Sequence, residues 1–361
     1  MSLVLDGTNG VTFNDTSLQG AAASPYVLKN RIINGDMRID QRNAGASVTP
    51  TETQYTIDRW QSRLSQSSKY TVQQSAGAVT PPTGFTKYLG ITSSSAYSVL
   101  TGDYFAQQHN IEGFNVADLG WGAAGAATVT LSFWVRSSLT GTFGGCAQNA
   151  SANRSYPFTY TISTANTWEQ KTITIAGDTS GTWNTTNGAG LVLFFGLGVG
   201  STYSGTASAW AGANYVSATG ATSVVGTNGA TFYITGVQLE QNTSATPFER
   251  RLYNQELANC QRYFQTYTQP PLRGVVVGTT ALNRMGMVLP VVMRTAPTAV
   301  VGALPVYDGS LTSTVSSIGS SYLFASQIEF DFVVGSGFTT IGRAAVVYQN
   351  GSTSMTLSAE L

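Results

Sequence analysis

The stretch ATVTLSFWVRSS, residues 127–138, sets Val129, Leu131, Phe133 and Val135 against Thr128, Thr130, Ser132, Trp134 and Arg136. Apolar and polar residues alternate with period two, which is the pattern of a β-strand with one face in a core. KTITIAG (171–177) repeats it with Ile173 and Ile175, and LVLFFGLGVG (191–200) is a short apolar run closed by glycines, as in a strand inside a sandwich. In TFYITGVQLEQ (231–241) the apolar set passes from Phe232 and Ile234 to Val237 and Leu239, a slip of one residue. A bulge at Thr235 and Gly236 keeps both halves facing inward. Turn-rich gaps separate these segments, so the pattern predicts an all-β protein whose residues 30–248 form a large antiparallel, jelly-roll-like β-sandwich.

The texture then changes. TPFERRLYNQELANCQRYFQTY (246–267) has helical character, with a capping box of Thr246, Pro247 and Glu249 at its start and Asn254 as a competing start. The spacing assigns a connecting helix to residues 249–268. Tyr253, Leu257, Cys260, Phe264 and Tyr267 follow at steps of 4, 3, 4 and 3, the spacing of a heptad seam. Such a stripe faces either a second subunit, as an interface, or the sandwich core. Pro270 and Pro271 end the helix, and short β-like runs fill a smaller C-terminal β domain over residues 269–361. Residues 1–29 carry little apolar mass and many turn formers, too little to build a core of their own.

Composition narrows the function classes. Only 10% of the 361 residues are charged, eighteen basic against eighteen acidic. No net field exists to gather nucleic acid or anionic lipid. No apolar run approaches the about 18 residues that span a membrane, and MSLVLDGTNG has no basic lead to an apolar core, so neither membrane insertion nor a signal peptide is expected. His109 is the only histidine and no nucleophile elbow surrounds any serine, so no catalytic residue is assigned. The glycines of GLGVG lack dinucleotide spacing, Cys146 and Cys260 stand far apart, and Asp6 and Asp15 lack the periodicity of a calcium loop. No cofactor and no metal ligand is assigned, although loop carbonyls could still hold a structural calcium.

From Thr172 to Leu239 the only charged residue is Asp178, while Trp183, Tyr203, Trp210 and Tyr215 sit in loops rich in Gly, Ser, Thr and Asn. Aromatic faces framed by hydroxyls and amides suit neutral sugars. These four are therefore the candidate carbohydrate-binding residues, or else they fold the long loops down. The rival location is the stretch 305–325, PVYDGSLTSTVSSIGSSYLFA, read as loops.

What charge there is concentrates in NRIINGDMRIDQRNAG (30–45), which carries Arg31, Asp36, Arg38, Asp40 and Arg42. Asn34-Gly35 is a hairpin signal, and Met37 and Ile39 alternate with the charges after it. The stretch is expected to be the first hairpin of the sandwich, its charges paired with one another or with Asp58 and Arg59 to fix register.

NRIINGDMRIDQRNAG with YTIDRW (55–60), LSFWVRSSLTGTFGG (131–145) and ITGVQLEQNTSATPFERRLYNQELANCQRYFQ (234–265) together resemble a family of tail fibre and minor tail proteins of tailed bacteriophages. LPVVMRTAPTAV (289–300) is similar to the start of the C-terminal β domain in such proteins, and LVLDGTNGVTFND (3–15) more loosely resembles fibre attachment segments. The resemblance implies a non-enzymatic structural protein of the virion tail fibre, homotrimeric, made in the host cytoplasm. Residues 1–29 would attach it to other tail or baseplate proteins, and distal domains would adsorb to host cell-surface polysaccharide. A capsule depolymerase on the same particle and a capsid-bound fibre or decoration protein are the alternatives.

Overall fold

The computed structural model describes residues 29–335, 337–347 and 355–361, together with the backbone of three short strands, Val4–Asp6, Gly10–Thr12 and Leu18–Gln19. Those three pair with one another in antiparallel register. The attachment role expected of residues 1–29 otherwise lies outside the described residues.

Two antiparallel sheets form the large unit. One has the order Ser155–Ile162, Gly141–Asn149, Ala189–Val199, Tyr104–Glu112, Trp60–Leu64, Tyr55–Ile57; the other runs Glu169–Ile175, Val129–Ser137, Thr231–Glu240, Leu89–Ser93, Tyr70–Gln74. The chain crosses repeatedly between them, as a jelly roll does. Val129, Leu131, Phe133 and Val135 are all fully buried. Phe133 bridges the layers, its ring 5.1 Å from Phe195 and 5.0 Å from Tyr160 on the opposite sheet. The register of Thr231–Glu240 slips between Thr235 and Gln238, as the sequence pattern predicts. Gly236 there has φ +62°, and a Cβ would stand 2.6 Å from the Phe85 ring, so only glycine fits.

Residues 30–45 form no strand, which corrects the expected hairpin. Asn34 takes a left-handed φ of +57° in a buried loop, where its side chain donates to the carbonyls of Ile39 (2.8 Å) and Asp58 (2.9 Å) and accepts from Ile39 N–H (3.0 Å). The glycine serves close approach: a Cβ on Gly35 would lie 2.2 Å from the Val237 carbonyl oxygen. Ile32, Met37 and Ile39 are buried, so apolar alternation here records burial of a loop. The charges do structural work of another kind. Asp36 pairs with Arg38 (2.5 Å), whose guanidinium also donates to the Arg251 carbonyl (3.0 Å). Arg251 in turn pairs with Glu256 on the helix (3.2 Å) and donates to the Ile32 carbonyl (3.0 Å). Arg42 reaches Glu360 at 2.5 Å and Arg59 pairs with the same carboxylate, while Asp58 accepts from Gln41. The cluster clasps the helix and the residues near 360 onto the sandwich.

The helix itself spans only Tyr253–Gln261. Thr246 and Glu249 form no capping box: the Thr246 hydroxyl donates to Glu240 (2.7 Å) and Glu249 accepts from the Asn30 N–H (2.7 Å). Phe264 and Tyr267 lie on a strand, Phe264–Tyr267, paired with Met355–Ser358. The stripe of Tyr253, Leu257, Cys260, Phe264 and Tyr267 is therefore not one helical face. Cys260 and Phe264 are buried within the chain, with the Arg42 guanidinium 3.7 Å above the Phe264 ring; Leu257 is half-buried and Tyr253 exposed. The strand displaced the expected last turns because its partner comes from some ninety residues later in the chain, beyond the reach of local spacing.

The remaining strands close a barrel in the order Arg273–Gly278, Ala281–Val288, Gln327–Val334, Thr312–Leu323, Pro305–Tyr307, Ala344–Val347, filled by Leu282, Met285, Val306, Ile328, Phe330 and Phe332. Stretch 305–325 thus supplies two barrel strands, not the loops expected of it. Beside the barrel, Thr298–Val301 joins Met355–Ser358 and Phe264–Tyr267 in a three-stranded sheet.

Candidate functional site

On the six-stranded sheet, alternation sends one side of each strand to the core and the other outward. From Trp60–Leu64 the outward residues are Gln61 and Arg63; from Tyr104–Glu112 they are Tyr104, Ala106, Gln108 and Asn110. Neighbouring strands add Cys146, Gln148, Val192 and Phe194. Of these, all but Ala106 and Cys146 line a cleft of about 540 Å³, with Thr53, Tyr203, Asn214 and Leu361 completing its lining. Its apolar floor is Val192, Phe194 and Val216, which pack in a small buried cluster with Ala106 and Cys146.

The polar lining is tied together in one direction. Arg63, held by Glu52 (2.9 Å), donates to the Gln108 carbonyl (3.3 Å); the Gln108 amide donates to Asn110 Oδ1 (2.6 Å); Asn110 Nδ2 donates to the Tyr55 hydroxyl (2.9 Å) and to the Leu361 backbone oxygen (3.2 Å). Burial first, then the Glu360 carboxylate, raise the Tyr55 phenol above its ordinary value, so it stays a donor to Leu361 O at 2.9 Å. Opposite, the Gln148 amide donates to Asn214 Oδ1 (2.9 Å) and the Tyr215 carbonyl (3.1 Å). Amides held this way are preorganised to meet hydroxyl and ether oxygens, and the floor offers an apolar face beside them.

The four aromatic candidates do not meet at one place. Tyr203 lines the cleft, edge-on to Tyr104 at 5.1 Å. Tyr215 packs behind it against the apolar floor cluster, pressed on Gly205, where a Cβ would stand 2.3 Å from its ring. Trp183 and Trp210 stand elsewhere, in an edge-to-face trio with Trp121 at 4.7, 5.4 and 5.5 Å. Each indole N–H is spent on a backbone carbonyl: Trp121 on Ala127 (2.7 Å), Trp183 on Ser180 (3.3 Å) and Trp210 on Ala176 (2.8 Å). The trio also packs on the sandwich core, partly buried, as tryptophans that fold the loops down would. Aromatics in neutral loops look alike in sequence whichever role they play.

Sequence reasoning missed Gln61, Arg63, Tyr104, Gln108, Asn110 and Gln148. The available signal was amides, in place of charges, at alternate positions of WQSRL and YFAQQHNIE. It was hidden because the inward face of Tyr104–Glu112 is polar too: Gln107 donates to the Ser62 hydroxyl (2.9 Å) and His109 packs 4.9 Å from Trp60. Burial, then the Arg59 charge, hold that imidazole well below its usual pKa and neutral. Among the described residues no group of three His, Cys, Asp or Glu side chains converges as metal ligands would, and no helix is long and apolar enough to cross a membrane.

No family model and no curated protein sequence matches the chain. Solved structures similar to it include the enzymatically active domain of tailspike protein 4 of bacteriophage CBA120 (13% identity, 62% of this chain and 22% of that one, TM-score 0.32). They also include the carbohydrate-binding module TmCBM61 in complex with β-1,4-galactotriose (10% identity, 60% and 100%, TM-score 0.30). A third is the family 11 carbohydrate-binding module of a cellulosomal cellulase of Clostridium thermocellum (12% identity, 56% and 99%, TM-score 0.28). This chain spans about a fifth of the tailspike chain's length. At TM-scores this low the likeness transfers neither a site nor an activity.

Proposed function

We propose that the protein is a structural tail fibre component of a bacteriophage and that it adsorbs to a neutral host cell-surface glycan held in the cleft of the six-stranded sheet, without cleaving it. The observation that carries the binding reading is the cleft lining: amides from Gln61, Gln108, Asn110, Gln148 and Asn214 over an apolar floor, flanked by Tyr104 and Tyr203, with the single guanidinium already paired to Glu52. A neutral sugar needs this mixture of apolar face and fixed hydrogen-bond groups, whereas an acidic one would need unpaired cations. Among the described residues, the side chains lining the cleft include no Asp or Glu to act as an acid–base pair. The virion role rests on the resemblance of residues 30–265 to phage tail proteins. As a fibre component the chain would act as a homotrimer and attach to tail or baseplate proteins through residues 1–29; Leu252 and Tyr253, 73% and 56% exposed beside half-buried Leu257, supply apolar surface between copies.

Retardation of the full-length protein in native gels containing mixed-linkage β-glucan, galactan, xylan or mannan tests the binding reading, with Gln108→Ala as control. Retardation by at least one polysaccharide, reduced in the variant, is expected. In solution the affinity should change less than about twofold between low and high salt, since no free charge takes part. Retardation by none of them, on the host polysaccharide as well, would refute neutral-glycan binding. Sustained release of reducing ends above a heat-treated control would make the protein a depolymerase. Light scattering that finds a monomer at micromolar concentration would remove the trimer.

A further inference from the structure

Leu361 is both a wall of the cleft and the acceptor at the end of its hydrogen-bond chain, yet it belongs to the segment that follows the strand Met355–Ser358 of the C-terminal unit. That segment is fixed at several points. Ala359 N–H donates to the Tyr263 carbonyl (2.8 Å); Arg294 donates to the carbonyls of Ala359 and Glu360 (2.8 Å each) and to Asn187 of the sandwich (2.8 Å). The Glu360 carboxylate is gripped by Arg42 and by Arg59, the latter fully buried and stacked 3.6 Å over the Tyr263 ring.

We propose that Glu360 and Leu361 are positioning residues of the cleft, so that docking of the C-terminal unit locks the Asn110 amide and, through it, the direction of the Gln108 donor offered to a ligand. This rests on the glycan-binding reading of the cleft. The hydrogen inventory gives the reason. Leu361 O can only accept, and so can a carbonyl; it therefore orders Asn110 with its NH2 toward Tyr55 and Leu361 and its oxygen toward Gln108. Arg63 can only donate, so Gln108 turns its carbonyl to Arg63 and gives one N–H to the Asn110 oxygen, which leaves its second N–H for a ligand. A donor at that point admits ring and glycosidic oxygens, which only accept, as well as hydroxyls. With Leu361 withdrawn, Asn110 keeps only the Tyr55 hydroxyl as partner for its NH2 and can turn over; its NH2 then faces that of Gln108, whose carbonyl Arg63 still holds, and the Gln108 donor loses the acceptor that fixes its direction. Sandwich and C-terminal unit thus act as one binding unit.

The test uses the full chain and two variants. Glu360→Gln breaks the grip of Arg42 and Arg59; because it leaves a buried guanidinium unpaired and could unfold the junction, Tyr55→Phe is the second variant, removing one hydroxyl between Asn110 and Leu361 with little change of shape. The first readout needs no ligand: side-chain amide resonances of Asn110 and Gln108 in 15N-labelled protein. Both are expected to move, and their hydrogen exchange to quicken, in either folded variant. Resonances unmoved in folded Tyr55→Phe would overturn the proposal. The second readout is affinity for whichever neutral polysaccharide retards the wild type, expected to weaken about 5- to 10-fold, the scale of one hydrogen bond of orientation. Shifted resonances with undiminished affinity would also overturn it, whereas a wild type that binds no polysaccharide fails the glycan reading while the amide resonances still decide the lock.

Discussion

Gly35 and Asn34 show what single residues hide. The dipeptide Asn-Gly has a local meaning, a tight hairpin, and a non-local one, a side chain that satisfies a loop beside a backbone without room for a Cβ. Local spacing cannot tell the two apart. Here Val237 N–H donates to the Gly35 carbonyl (2.9 Å) and Trp60 Nε1–H to the Asn34 carbonyl (3.0 Å), so the loop is stitched to the bulged strand and to the core. Gly35→Ala must push its methyl against the Val237 carbonyl, and the obstacle is backbone, which yields poorly. A loss of about 2–3 kcal/mol in denaturant unfolding is expected, the scale of overpacking in a tight interior. Gly220→Ala, with open space around it but φ +78°, should lose only about 1 kcal/mol from backbone strain. A loss in Gly35→Ala no greater than that would mean that the surrounding backbone yields to the methyl group.

At the scale of elements, the strands with one apolar face were legible, and so was the bulge at Gly236. The strand Tyr104–Glu112, which gives the cleft Tyr104, Gln108 and Asn110, was not, because both of its faces bear amides or imidazole. Two buried titratable groups, His109 on that strand and Asp58 in the turn before Trp60–Leu64, also shape the response to pH. Burial pushes the Asp58 carboxyl up to about 6, against the pull of Arg42 and of its hydrogen bonds from Gln41. Between about pH 4 and 6 the native state holds a proton on Asp58 that the unfolded chain has lost, so stability falls as pH rises through that window, by about 1.4 kcal/mol per unit. His109 acts in the opposite sense: below about pH 6.5 the unfolded chain binds a proton that the buried imidazole refuses, and stability falls as pH drops. In the wild type the two slopes oppose each other from about pH 6 to 4. Asp58→Asn keeps one of them. Relative to wild type, the variant should gain on the order of 2–3 kcal/mol as pH is raised from 4 to 7, read from urea unfolding at several pH values. A difference that does not vary with pH would mean that Asp58 is ionised throughout.

For the whole molecule, composition and alternation were enough to indicate an all-β chain with a large sandwich, because those signals are local. What escaped them depends on contacts distant in sequence: Met355–Ser358 beside Phe264–Tyr267, Glu360 between Arg42 and Arg59, and a cleft assembled from four strands, their loops and Leu361. The same distance explains why aromatic loops did not point to the cleft. Only Tyr203 of the four candidates reaches the cleft, and the indoles of Trp183 and Trp210 are committed to Trp121 and to backbone carbonyls. Titration calorimetry of the neutral polysaccharide that retards the wild type, into wild type, Tyr203→Ala and Trp183→Ala with circular dichroism on each, separates the two locations. Loss of the Tyr203 ring should weaken binding about tenfold, ~1.4 kcal/mol, while folded Trp183→Ala binds as the wild type does. Undiminished binding by Tyr203→Ala together with loss in folded Trp183→Ala would move the site to the tryptophan loops and contradict the cleft.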